Sequence, residues 1–141
     1  MIIVYFTNGF GNNIFQYNAA RILAEFHKQK VVAIPPSPDY YAIPYFQNLG
    51  LSFVESPKNH NSLIHVNENN YNDLFEEAYS NFNFLVRGYF EDYNIFDRHI
   101  DVIKRWYPRV EKRKDKDLVL HFRAGDRLFY KNEFDTKPQV K

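Results

Sequence analysis

The residues with the most obvious chemistry lie in the stretch Leu118–Leu128, LVLHFRAGDRL. An apolar run typical of a buried strand ends in His121 and Arg123, and a Gly-Asp turn then carries Asp126 and Arg127. The arginine guanidinium stays charged and binds phosphate through paired hydrogen bonds. Because ligands of open α/β sheets bind outside the carboxyl ends of the strands, the pattern predicts an anion-binding site. The alternative is a structural Arg–Asp pair beside a buried histidine.

A second candidate is the turn cluster Thr7–Asn13, TNGFGNN, between a predicted strand and a predicted helix. Gly9 and Gly11 allow a tight turn and let a ligand approach the backbone closely. The start of the helix offers free N–H groups to an anion, and Asn12 or Asn13 is expected to be its N-cap. The cluster predicts a second anion-binding element; the alternative is a tight connection without a ligand.

This turn cluster differs from the dinucleotide-binding fingerprint. The G-x-G-x-x-G pattern beginning at Gly9 requires glycine at the position of Ile14. The second strand ends in Ile34-Pro35, without the acidic residue that would bind a ribose. We therefore expect no nicotinamide cofactor.

Metal-ligating patterns are weak in this sequence. The DKD triplet at 115–117 lies in a run of mixed charge, RVEKRKDKD, which is more typical of a solvated connector. The chain has no cysteine, and its histidines lack the spacing of metal ligands. We expect no metal cofactor.

Composition and charge narrow the function classes. Among 141 residues, 18 Lys and Arg stand against 17 Asp and Glu, which argues against a general nucleic-acid-binding protein. The apolar start MIIVYFTNGFG is expected to be a first strand instead of a signal peptide. No run approaches the roughly 18 apolar residues of a membrane span. We expect a cytoplasmic protein, with peripheral attachment at the inner face of the membrane as an alternative.

Hydrophobic periodicity predicts an α/β fold with a mainly parallel sheet, because the chain opens as strand, turn, helix, strand. The predicted strands are Ile2–Phe6, Val31–Ile34, Leu51–Val54, Leu63–Val66, Asn83–Tyr89 and Leu118–Phe122. The predicted helices are Ile14–Lys28, Pro44–Leu49, Asn70–Asn81 and Tyr93–Tyr107.

Three segments resemble motifs of one enzyme family, and they occur in the same order as in that family. GFGNNIFQYNAARILAE resembles the G-x-G-N-Q-M-F-Q-Y-A-x-x-R-x-L-A block of the bacterial α-1,2-fucosyltransferase family, glycosyltransferase family 11. LVRGYFEDYNIF is similar to its G-Y-[FW]-Q-S-x-K-Y-F segment, and LVLHFRAGDRL to its H-x-R-R-G-D motif. The last is shared in looser form by the wider α-1,2-, α-1,6- and protein O-fucosyltransferase superfamily.

The resemblance implies a two-domain GT-B fold with two Rossmann-like halves. Residues 1–112 would form the acceptor-side domain, and residues 117–141 the first strand and loop of a donor-binding domain. The chain is therefore expected to be truncated, and to lack most of the donor domain. By resemblance, Arg123 contacts the β-phosphate of GDP-fucose, His121 and Asp126 hold the nucleotide, and Asn12 lies near the reacting centre.

The sequence departs from the family at four places. Asn13 replaces a glutamine, Glu91 and Asp92 replace a Gln-Ser pair, and Ala124 replaces the second arginine, whose charge Arg127 is expected to supply.

The resulting hypothesis is an inverting transfer of fucose from GDP-fucose to a glycan hydroxyl, most simply in α-1,2 linkage. The expected catalytic residues are Arg123, Asp126 and Asn12. The expected donor-binding residues are His121, Arg123, Asp126, Arg127, Gly9, Gly11, Asn12 and Asn13. The alternatives are a transferase with another nucleotide sugar and a non-catalytic fragment that binds a glycan or a protein partner. The acceptor and the oligomeric state stay open.

Overall fold

The computed structural model describes residues 1–55 and 63–107. In these residues the fold is α/β, with a five-stranded sheet in which every strand pair is parallel. This confirms the predicted α/β class with a parallel sheet. The predicted strand Leu118–Phe122, the proposed domain at 117–141 and the end of the proposed 1–112 domain lie outside the described residues.

The sheet has the strand order β3-β2-β1-β5-β4. The strands are β1 (Ile2–Tyr5), β2 (Val31–Ile34), β3 (Ser52–Phe53), β4 (Leu63–Val66) and β5 (Asn83–Val86). The helices are α1 (Phe10–His27), α2 (Ile43–Asn48), α3 (Tyr93–Asp97) and α4 (Ile100–Trp106). Two 3₁₀ turns, Tyr71–Leu74 and Glu77–Tyr79, precede β5.

The central strands are continuous apolar runs over β1 and over Phe84–Val86 of β5, because both faces of these strands are covered. Ile2, Ile3 and Val4 are each at most 1% exposed. Side chains alternate between the faces of a strand, so Ile2 and Val4 join the large cluster with α1, whereas Ile3 joins a smaller cluster with Leu85. β1 and β5 therefore form the rigid centre from which the two loops of interest leave.

The predicted start of α1 at Ile14 is wrong, because the helix begins at Phe10 with Gly9 as its N-cap. The prediction that Asn12 or Asn13 caps the helix is wrong as well. The Asn13 side chain bonds to Thr7 and Tyr40 instead. With that side chain occupied elsewhere, the backbone after Gly9 is free to become helical.

The single helix predicted at Asn70–Asn81 is replaced by the two 3₁₀ turns. The carbonyl of Leu74 lies 2.8 Å from Nε2 of His27, which takes the place of a helical N–H. Phe75 then leaves the helical region, with ψ at 57°. The pattern of α-helical hydrogen bonds therefore cannot continue through Leu74 and Phe75.

The helix predicted at Tyr93–Tyr107 is divided into α3 and α4. Its backbone is interrupted at His99, which has φ −115° and ψ 9° and stacks its ring on Phe75 at 6.1 Å. The predicted strand Asn83–Tyr89 also ends early, at Val86, because the chain turns sharply after it and Phe90 has a positive φ of 54°.

Candidate functional site

Two neighbouring loops meet the carboxyl edge of the sheet at its centre. One joins β1 to α1, and the other, residues 87–90, follows β5. β1 and β5 are parallel neighbours, with Val4 level with Val86, so both loops leave the same edge of the sheet. β2 and β3 lie on one side of β1, whereas β5 and β4 lie on its other side. In doubly wound sheets, ligands bind at the carboxyl ends of strands where the strand order changes direction.

The N-terminus of α1 has backbone N–H groups that are available to a ligand. The first intrahelical bond runs from the N–H of Asn13 to the carbonyl of Gly9 at 3.1 Å, so the amides of Phe10, Gly11 and Asn12 have no helical acceptor. Gly9 provides no side-chain cap, and the first turn has no acidic residue. This 18-residue helix therefore directs an uncompensated positive dipole end toward the edge.

The space at this helix end is open beside Gly11 but is occupied by a side chain beside Gly9. Gly11 is exposed, and a Cβ added to it would meet no atom within 4 Å. A Cβ added to Gly9 would lie 3.4 Å from the side-chain amide of Asn12, which folds back over the turn. The partly exposed Asn12 amide and the open space at Gly11 are thus both within reach of a ligand at the helix end.

Asn13 has a closed set of partners. Its Oδ1 accepts from the backbone N–H of Thr7 at 2.9 Å and from the Thr7 hydroxyl at 3.2 Å. Its Nδ2 donates to the Thr7 carbonyl at 3.0 Å and to the Tyr40 hydroxyl at 2.8 Å. Asn13 is fully buried, so its side chain shapes the β1–α1 turn from beneath.

Tyr40 belongs to this site although the sequence offers no signal for it. Burial raises the pKa of Tyr40 to about 12, and the neighbouring Tyr41 adds to the shift through a hydrogen bond and its charge. The phenol therefore remains protonated at neutral pH. Its partner Asn13 is 27 positions away, so only the fold brings the two together.

Gln16 connects the two loops. Its Nε2 donates to the carbonyl of Gly88 at 2.7 Å, which fixes the orientation of the amide. Its Oε1 is buried and has no hydrogen-bond donor among the described residues. Because a buried acceptor without a partner costs about 1–3 kcal/mol, stability alone does not explain this arrangement. Asn12 and Gln16 are four residues apart and so lie on one face of α1.

The loop after β5 holds a carboxylate. The N–H groups of Tyr89 and Phe90 both donate to Oε1 of Glu68, at 2.5 Å and 2.8 Å. Burial raises the pKa of Glu68, but the backbone N–H of Phe90, its own N–H and that of Tyr89 together outweigh this effect and lower the pKa below its usual value. Glu68 is therefore ionised at neutral pH. Nothing in the local sequence around Glu68 indicates this contact.

Asp92 has a local structural role. It is the N-cap of α3, and its Oδ1 accepts from the N–H of Asn94 at 2.9 Å. Capping of the helix accounts for an aspartate at this position.

The predicted site residues fall into two groups. Gly9, Gly11, Asn12 and Asn13 lie together at the carboxyl edge, as their spacing predicts. The other four, His121, Arg123, Asp126 and Arg127, lie outside the described residues, as does the DKD triplet at 115–117. Their relation to the edge stays a prediction.

A groove of about 580 Å³ lies at the opposite edge of the sheet, where Lys30 and Val31 precede and begin β2 and Ser52 begins β3. Arg21 and Lys28 also line it. It contains none of the predicted site residues. We favour the carboxyl edge as the candidate site because free helix amides and the orphaned Gln16 oxygen occur there.

Within residues 1–55 and 63–107, no three His, Asp or Glu side chains come together in a way that could hold a metal ion. The described helices include none that is long and apolar enough to cross a membrane. Comparisons with protein-family models, curated proteins and solved structures found no match for this chain.

Proposed function

We propose that this chain is the acceptor-side, Rossmann-like part of a GT-B fucosyltransferase that uses GDP-fucose as its donor. The observation that carries the proposal is the uncapped N-terminus of α1 at the carboxyl end of the central strand β1. Backbone amides at such a position suit a diphosphate or the charge that develops on it. The three sequence segments that resemble the α-1,2-fucosyltransferase family supply the identity of the sugar and the nucleotide.

The proposed reaction is a single displacement. An acceptor hydroxyl oxygen attacks the anomeric carbon of fucose while the bond from that carbon to the β-phosphate oxygen breaks. GDP leaves with the bonding electron pair, and the hydroxyl proton passes to a general base, for which Asp126 is the candidate. Configuration at the anomeric carbon is inverted.

Each proposed site residue has a distinct task in this reaction. Arg123, with Arg127 and His121, neutralises the leaving diphosphate, which is where charge develops. The amides that begin α1 add to this neutralisation, and Asn12 orients the reacting sugar. Asn13 does not need to touch the donor, because its bonds to Thr7 and Tyr40 set the shape of the turn that does.

A binding and transfer assay with matched variants tests the proposal. The chain is titrated with GDP-fucose, GDP-mannose and UDP-galactose by calorimetry, and fucose transfer to galactoside acceptors is measured with a full-length version that includes the donor domain. We expect preferential binding of GDP-fucose, and Arg123→Ala should lower transfer about 100- to 1,000-fold. Arg98→Ala is the control, because Arg98 is exposed and its guanidinium hydrogen-bonds only to Asn72 among the described side chains.

Tighter binding of UDP-galactose or GDP-mannose than of GDP-fucose would show that the transferred sugar is not fucose. Equal transfer by the Arg123→Ala and Arg98→Ala variants would overturn the assignment of Arg123. Binding of a glycan without any nucleotide sugar would instead favour the non-catalytic alternative.

A further inference from the structure

The loop after β5 forms a cradle of the size of one oxyanion. Two consecutive backbone N–H groups, those of Tyr89 and Phe90, converge on a single oxygen of Glu68. The second oxygen lies over Gly88, where an added Cβ would be only 2.6 Å away. The floor of the cradle is therefore open only because residue 88 is glycine.

The backbone is held in the shape that makes this cradle. Phe90 has a positive φ of 54°, which is rare for a residue with a side chain and costs about 1–3 kcal/mol. Its ring is fully buried and lies 5.5 Å from that of Tyr71, which anchors the strained residue in the core. Left-handed residues in loops turn successive amides toward one point and create anion-binding nests.

Glu68 reaches the cradle from outside the core. It is exposed and lies in the turn after β4. That turn has its own supports, since Oδ1 of Asn70 accepts from the N–H of Asn67 and its Nδ2 donates to the carbonyl of His65. The Glu68 side chain can therefore leave the cradle while the turn keeps its shape.

We propose that the cradle of Gly88, Tyr89 and Phe90 is an oxyanion-binding site, that Glu68 is its internal ligand, and that a phosphate group of an external ligand takes its place. β5 is the direct neighbour of β1, so this second anion site adjoins the one at the start of α1. The bond from Gln16 to the carbonyl of Gly88 couples the two. The proposal does not depend on the identity of the sugar or the nucleotide.

The test is a titration with inorganic phosphate at constant ionic strength, followed by the amide resonances of Tyr89 and Phe90 in ¹H–¹⁵N spectra. We expect Glu68→Ala to bind phosphate at least about tenfold more tightly than the unmodified chain, because a tethered carboxylate competes at a millimolar effective concentration. Glu91→Ala is the matched control, since it removes an equal charge from an exposed position directly after the cradle.

A second variant examines the floor of the cradle. Adding Gly88→Ala to Glu68→Ala should abolish the phosphate-induced shifts, because the new Cβ occupies the space of the anion. Gly88 does not have a positive φ, so alanine can adopt its backbone.

Equal phosphate affinity of the unmodified chain and folded Glu68→Ala would overturn the proposal, as would shifts at α1 without shifts at Tyr89 and Phe90. Should Glu68→Ala not fold, Glu68→Gln replaces it, because the neutral amide can still accept both N–H bonds. Equal affinity of Glu68→Gln and the unmodified chain would then overturn it. Failure of GDP-fucose binding alone would leave these phosphate shifts in place and would count only against the proposed function.

Discussion

At the residue scale, two consecutive asparagines have opposite tasks. Asn13 is fully buried with four internal hydrogen bonds, whereas Asn12 is partly exposed at the end of α1. The sequence marks both as turn or cap residues, because asparagine commonly bonds to nearby backbone. It does not say which one faces the core. That assignment depends on where the Tyr40 hydroxyl lies.

Asn13→Ala should therefore destabilise the fold, and Asn12→Ala should not. Removing Asn13 leaves the backbone groups of Thr7 and the Tyr40 hydroxyl without a partner, and we expect a loss of about 2–3 kcal/mol in the free energy of unfolding. Asn12→Ala should stay within about 0.5 kcal/mol of the unmodified chain, while weakening donor binding. Urea unfolding measures both, and equal losses would contradict the division of tasks.

Glycine at position 11 is expected to serve a ligand at the expense of stability. Gly11→Ala should raise the free energy of unfolding by about 0.4–1 kcal/mol, because alanine reduces the entropy of the unfolded chain and meets no atom within 4 Å. It should also weaken GDP-fucose binding by filling the open space at the helix end. Thermal unfolding followed by calorimetry, with and without GDP-fucose, measures both the change in stability and the change in GDP-fucose binding.

Gly50→Ala is the matched control for Gly11→Ala. Gly50 has a φ of 84°, so alanine there should cost about 1–2 kcal/mol without altering the affinity for GDP-fucose. If Gly11→Ala leaves donor binding unchanged as well, the N-terminus of α1 does not touch the donor.

At the element scale, the loop after β5 depends on a carboxylate from the turn after β4. The bonds from Tyr89 and Phe90 to Glu68 span 21 and 22 positions of sequence. The periodicity of this region predicts β5 correctly but extends it too far, to Tyr89. A strand pattern cannot report that Gly88 and Phe90 adopt a turn that is stabilised by a distant side chain.

The stabilising contribution of Glu68 should depend on pH. The pKa of Glu68 is lowered in the folded state, so the contribution is fully present above the unfolded pKa of about 4.3 and is lost as the pH falls through the lower folded value. We expect Glu68→Gln to be less stable than the unmodified chain at pH 7. The difference should shrink progressively below about pH 4.

Urea unfolding at several pH values measures this dependence. Glu91→Gln serves as the control, because it removes one negative charge from an exposed position directly after the loop. A constant difference between Glu68→Gln and the unmodified chain from pH 7 to pH 3 would show that the ionised carboxylate does not hold the loop.

At the scale of the whole molecule, the strand order places β1 and β5 side by side in the middle of the sheet. The two loops that carry the candidate sites are separated by about 80 residues in sequence, and Gln16 bonds to Gly88 across 72 positions. A ligand that touches both loops would join distant parts of the chain and should stabilise the fold as a unit.

Thermal unfolding in the presence of nucleotide sugars measures that stabilisation. At a concentration of 100 times Kd, a ligand that binds only the folded chain adds about 2.7 kcal/mol. For a chain of 141 residues this corresponds to roughly 8 °C in Tm. We expect GDP-fucose to produce the shift, GDP to produce a smaller one, and UDP-galactose to produce none. Equal shifts for all three would argue against recognition of the donor.

The sequence by itself determined the α/β class, the parallel sheet and the β1-α1-β2 beginning. Continuous apolar runs and helical spacing are local patterns that a doubly covered sheet requires. It also marked Gly9–Asn13 as a candidate ligand loop, because its glycines allow a tight turn and a close approach of a ligand to the backbone. Only the tertiary structure decided where α1 begins, why the later helices break, and how Asn13, Gln16 and Glu68 are used. Each of these depends on a hydrogen bond or a stacked ring from a distant part of the chain, and local propensity carries no information about such partners.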